Sequence, residues 1–149
     1  MGVSLMGSNP DKCAWRVQPR TESKPWGEET RWSSLSTLKG KIITIKEGMR
    51  TSLKFHVHKN EAFYVLSGRV KFYFADEAWL HFKGEDMNCE ILGPGDSVAV
   101  QSHCVYRIQA IDDAKIVEIS DGSQDQYVRI EDDFERPLSQ AKYPNKFKE

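Results

Sequence analysis

From residue 41 onward the chain falls into short runs of alternating apolar and polar residues, each closed by turn residues. KIITIKEG (41–48) reads as a strand that stops at Gly48. In TSLKFHVH (51–58), Leu53, Phe55 and Val57 fall on one face and Lys54, His56 and His58 on the other, because strand side chains alternate. AFYVLSG (62–68) is a buried-type strand, and RVKFYF (69–74) alternates again, so Ser67-Gly68 marks a hairpin. CEILGPGDSVAV (89–100) reads as strand, turn, strand. VYRIQA (105–110) and KIVEIS (115–120) flank the turn-like Asp112-Asp113. The charged connection ADEAWLHFKGEDMN (75–88) has strand character only around residues 79–82. Residues 1–24 are polar and irregular and predict a flexible arm. The charged tail that starts at Val128 predicts one short helix.

Seven or more short strands with turns at this spacing predict an all-β sandwich or closed barrel. A chain of 149 residues suits one domain, and four Trp, five Tyr and seven Phe supply a core. The formal net charge is -1 with no basic block, which argues against nucleic acid as a partner. No apolar stretch is long enough to cross a membrane. The first residues lack the pattern of a secretory signal, and Met6 stands where a myristoylation signal wants serine or threonine. Cys13, Cys89 and Cys104 are odd in number and unpatterned, as expected of reduced thiols in a cytoplasmic protein.

An antiparallel barrel has an interior where polar side chains of alternating strands meet. Lys54, His56 and His58 would face it, with Glu61 following in the turn. Imidazole nitrogen and carboxylate oxygen suit zinc, iron, nickel or manganese.

At these residues the chain resembles the cupins. The stretch from Gly48 through His56, His58 and Glu61 to Gly68 resembles the first cupin motif, and Pro94-Gly95-Asp96 with the next strand resembles the second. The likeness is closer to the cupin domain of type II mannose-6-phosphate isomerase and GDP-mannose pyrophosphorylase. KPWGEE (25–29 with Lys24), KIITIKEG, SLKFHVHKNEAFYVLSG (52–68) and VEISDGSQDQYVRIEDDFER (117–136) each resemble an ordered block of that family. The resemblance implies an antiparallel jelly-roll barrel over residues 25–136, an arm before it, a tail over 137–149, and a homodimer paired through sheet edges. It also implies a metal held at positions 54, 56, 61 and 106. Here those positions carry Lys54, His56, Glu61 and Tyr106. A protonated lysine has no lone pair for a metal, and tyrosine ligates only as phenolate.

Three readings of the site stay open. The first is a metal site of His56, His58 and Glu61 with His103 or Tyr106. The second is a metal-free site in which Lys54 replaces the cation and pairs with Glu61, while Tyr106 acts as acid or base. The third is a hydrogen-bonded polar interior with no chemistry. By resemblance, the expected function is action on a sugar or sugar phosphate, through aldose–ketose isomerisation or a related proton transfer. Glu61, Tyr106 and Lys54 would be the working groups, and any divalent metal would be weakly held or absent. Arg107 and Trp26 are candidates for contacting the carbohydrate. The alternatives are a non-catalytic carbohydrate-binding or dimerisation cupin and a metal-dependent oxygenase.

Overall fold

A computed structural model describes residues 12–81, 86–122 and 126–139. Eleven strands are defined: β1 Arg20–Lys24, β2 Gly27–Leu35, β3 Leu38–Ile45, β4 Leu53–His56, β5 Glu61–Ser67, β6 Val70–Ala75, β7 Asn88–Leu92, β8 Ser97–Val100, β9 Val105–Ala110, β10 Ala114–Ser120 and β11 Tyr127–Glu131. They form two antiparallel sheets, of six strands in the order β1-β2-β3-β10-β5-β8 and of five in the order β11-β4-β9-β6-β7. This is the jelly-roll arrangement expected.

The alternation of the strands sets the core. Ile43 and Ile45 of β3, Phe63 and Val65 of β5, Val70 and Phe72 of β6, Ile108 of β9 and Ile116 of β10 are all buried in the main cluster. Gly68 closes the β5–β6 hairpin with φ of 76°. A side chain there would also meet the backbone of Asp113, so glycine is required twice over.

A second cluster lies behind the five-stranded sheet. Leu53, Phe55, Val105, Val128 and Ile130 meet Leu80, with Val57, Trp79 and Met87 packed against them. Strand alternation turns these residues away from Lys54, His56 and Tyr106, so they cover the sheet's outer face. Residues 77–81 form a 3-10 turn, not the strand expected around 79–82, and that turn lays Leu80 onto this face. The local pattern EAWLH offers only two large apolar residues in a row, too few for a strand-like alternation to outweigh the turn. Residue 82 lies outside the described residues.

Two other expectations change. The arm includes a strand: β1 pairs with β2 in register from Arg20↔Arg31 to Lys24↔Gly27, because Pro25-Trp26 turns the chain back on itself. Residues 1–11 lie outside the described residues. In the tail, residues 127–131 are strand β11 and not helix, since Val128 and Ile130 alternate into the second cluster. Residues 140–149 lie outside the described residues.

Candidate functional site

The two sheets enclose a cavity of about 150 Å³. Cross-strand register explains what lines it. On the five-stranded sheet, Arg129 of β11 lies opposite Lys54 of β4, and Lys54 lies opposite Tyr106 of β9. On the six-stranded sheet, Glu118 of β10 lies opposite Phe63 of β5 on one side and Lys41 of β3 on the other, with Arg31 of β2 beyond. Both rows face the cavity.

Glu61 sits at its floor, 5% exposed. The Tyr106 hydroxyl donates to Glu61 Oε1 at 2.7 Å. The Tyr106 ring is fixed by Phe63 and Phe72, each with its centroid 5.7 Å away. His56 Nε2 stands 3.4 Å from Glu61 Oε1. Lys59 Nζ stands 3.6 Å from Glu61 Oε2 and 3.8 Å from Glu118 Oε2. Burial drives the Glu118 carboxyl up to about 7, helped by the Glu61 charge and opposed by Lys59 and Lys41. Lys54 forms no ion pair among the described residues, and its ammonium lies 5.4 Å above the Tyr127 ring. Burial pushes its pKa down, while Glu61 and Glu118 pull it back up. Towards the mouth, Lys41 pairs with Glu29 at 3.0 Å and Lys24 with Glu22 at 3.3 Å.

The walls carry a surplus of positive charge. Lys24, Arg31, Lys41, Lys54, Lys59, Arg129 and Arg136 outnumber Glu22, Glu29, Glu61 and Glu118 by seven to four. The whole chain, by contrast, has a net charge of -1. The cations are concentrated here, which suits an anionic ligand.

The structure therefore brings together Lys54, His56, Glu61 and Tyr106, four side chains singled out in the sequence. Trp26 lines the same cavity while it packs into the main core at 5% exposure. It does not bring in the other candidates. Strand β4 ends at His56 and the chain bends at once, so His58 loses the alternation and is exposed. His103 has φ of 69°, and its ring stacks on Phe55, on the far side of the sheet from the cavity. Arg107 points outward from β9 and is buried there, donating to the Thr51 carbonyl, Glu131 and Asp133. Cys104 packs against the main core, and burial raises its thiol pKa.

These positions also bear on the metal. Among the described residues no group of three or more His, Cys, Asp or Glu is placed to hold an ion. His56 and Glu61 keep their places, but the cavity sets ammonium groups beside the carboxylates, and the set His56, His58, Glu61 and His103 is not assembled. The residues present do not fit a divalent metal.

Two buried charged residues of the cavity, Glu118 and Lys59, were not among the sequence candidates. Glu118 was legible, since it interrupts an inward row of Ala114, Ile116 and Ser120 with a charge. Lys59 lies in a loop, where no periodicity indicates direction.

Two facing antiparallel sheets around a polar cavity, with first-motif residues at its floor, define the protein as a cupin. The chain belongs to the mannose-6-phosphate isomerase C-terminal family, whose profile matches residues 15–136. Similar solved structures share the fold at low identity. The capsular polysaccharide assembling protein CapF from Staphylococcus aureus matches at 17% identity and a TM-score of 0.60, over 80% of this chain and 36% of that one. KdgF from Halomonas sp. matches at 16% identity and a TM-score of 0.58, over 72% of this chain and 88% of that one. A variant of B. subtilis oxalate decarboxylase matches at 19% identity and a TM-score of 0.62, over 74% of this chain but only 30% of the decarboxylase. Among curated protein sequences, none matches this chain. No described helix is long and apolar enough to cross a membrane.

Proposed function

We propose that the chain is an enzyme acting on an anionic sugar, such as a sugar phosphate, and that it moves a proton next to the sugar's carbonyl in an aldose–ketose isomerisation. The observation that carries this reading is the buried Tyr106–Glu61 hydrogen bond at the floor of a cavity with cationic walls. The family likeness to mannose-6-phosphate isomerase supports the substrate class.

In the proposed reaction Glu61 removes the proton from the carbon beside the aldehyde. The electron pair of that C–H bond forms the carbon–carbon double bond, and the aldehyde oxygen takes up the negative charge. The Tyr106 hydroxyl and the Lys54 ammonium stabilise that oxygen. Glu61 then returns the proton to the former aldehyde carbon. The neighbouring hydroxyl gives up its proton as its oxygen becomes the ketone, and the first oxygen gains one. Nothing is oxidised or reduced overall. Positively charged side chains nearer the mouth hold the anionic group. A general acid or base of this kind contributes about 10²- to 10⁴-fold.

The test is proton exchange followed by NMR in D2O with a panel of aldose and ketose phosphates. Deuterium should enter the carbon next to the carbonyl with the wild type. It should not with Glu61→Gln, and Tyr106→Phe should slow it at least about 100-fold. Saturable binding of a sugar phosphate without exchange would favour the carbohydrate-binding alternative. Exchange that persists in Glu61→Gln would remove Glu61 from the mechanism.

A further inference from the structure

Lys59 is placed as few lysines are. It is 4% exposed, and its ammonium lies 3.6 Å from Glu61 and 3.8 Å from Glu118. A lysine is rarely buried this far unless its charge is paired. The loop that carries it is pinned from three directions. The Asn60 N–H donates to Asp121 Oδ1 at 2.8 Å, and the Asn60 side-chain amide donates to Asp121 Oδ2 at 3.2 Å. The Asn60 side-chain oxygen accepts from the Ser102 N–H at 3.0 Å. On the side facing Gly122, a side chain at that residue would lie 3.6 Å from Lys59 Cα and Cβ, so the backbone there is close-packed. The backbone next to Lys59 is held by this clamp.

The metal-type donors around Lys59 are Glu61 and Glu118, with His56 3.4 Å from Glu61, while Glu22 and Glu29 pair with Lys24 and Lys41. An ion bridging Glu61 and Glu118 would sit about 2 Å from each carboxylate. The Lys59 ammonium lies within 4 Å of both carboxylates, so such an ion would meet it there. Lys54, in the same cavity, adds a second positive charge.

We infer that the Lys59 ammonium is the resident cation of this cavity, taking the place of a divalent metal between Glu61 and Glu118, and that removing it converts the cavity into a metal site. The inference concerns the same cavity as the proton-transfer reading. Its test uses metal alone, so absence of sugar turnover leaves it intact, and its own failure leaves that reading intact.

The experiment titrates zinc, manganese and nickel salts into EDTA-dialysed full-length protein, by calorimetry and by metal content after gel filtration. The wild type and Lys59→Arg should take up no stoichiometric ion at micromolar metal. Lys59→Met should bind one zinc ion at least about 100-fold more tightly than the wild type, because the ammonium within 4 Å of both carboxylates is removed while Lys54 is common to both proteins. Its melting temperature should rise with zinc. One equivalent bound by the wild type at micromolar or tighter affinity overturns the inference. So does a natively folded Lys59→Met, judged by circular dichroism, that gains no zinc affinity. If Lys59→Met does not fold, the wild type and Lys59→Arg still decide: stoichiometric zinc on either overturns the inference, and none on both supports it.

Discussion

Glu118 should make its own contribution to stability fall as pH rises. Its carboxyl has a pKa of about 7 in the folded chain against 4.5 for an ordinary glutamate, chiefly because the charged form is buried and secondly because Glu61 is near. A pKa raised by folding means that the folded state holds a proton the unfolded state has released. The resulting stabilisation is complete below about pH 4.5 and is lost as pH rises through about 7. At 1.36 kcal/mol per pKa unit the full span is about 3 kcal/mol, and most of it is lost between pH 5 and 8. Glu118→Gln fixes the neutral form in nearly the same shape. The wild type should therefore lose about 2 to 3 kcal/mol relative to the variant across that range. The groups facing residue 118, namely Glu61, Lys59 and Lys41, are present in both proteins. The assay is urea unfolding at pH 5, 6, 7 and 8 at constant ionic strength, with the slopes checked for equality. A difference that stays flat within about 0.5 kcal/mol, or that grows in the wild type's favour, would refute the reasoning.

Two further outcomes test other parts of the structure. Leu80→Ala should cost about 2 to 3 kcal/mol, read as a lower urea midpoint, because Leu80 is 3% exposed in the cluster behind the five-stranded sheet; a cost under about 0.5 kcal/mol would mean that the 3-10 turn is not seated there. The outer face of the six-stranded sheet exposes Trp32, Tyr64, Leu66 and Ile119 at 39 to 48%, and we propose that the chain forms a homodimer and does so through this face, not through the sheet edges that the resemblance implies. Light scattering should then give twice 17.1 kDa for the wild type and 17.1 kDa for Leu66→Glu, and a wild type that stays at 17.1 kDa at micromolar concentration would sink the proposal.

Period-2 alternation carried most of the fold, because Leu53 and Phe55 on one face and Lys54 and His56 on the other are buried against different layers. It failed where its physical basis ended. His58 follows the last paired residue of β4, and beyond that residue the backbone no longer enforces direction. Trp79 and Leu80 are adjacent, and both pack on the second cluster, an arrangement that a turn allows and a strand forbids. The floor of the cavity was legible as far as the first-motif spacing reached, to Lys54, His56 and Glu61, and the second motif added Tyr106. Lys59 could not be read, because its direction comes from the Asn60–Asp121 and Asn60–Ser102 hydrogen bonds between residues 42 to 61 positions apart.

The Asn60 clamp also bears on traffic. One amide ties the β4–β5 loop to the segment after β10 and to the turn before β9, so that end of the barrel opens only if several hydrogen bonds break together. Glu22, Arg31 and Tyr127 are exposed and line the same cavity. In the proposed reaction a sugar would present its carbonyl end to Glu61 and its anionic group to the basic side chains of the cavity wall. The cavity would then measure its substrate: chain length between carbonyl and charge, more than the pattern of hydroxyl groups, would decide which sugars fit.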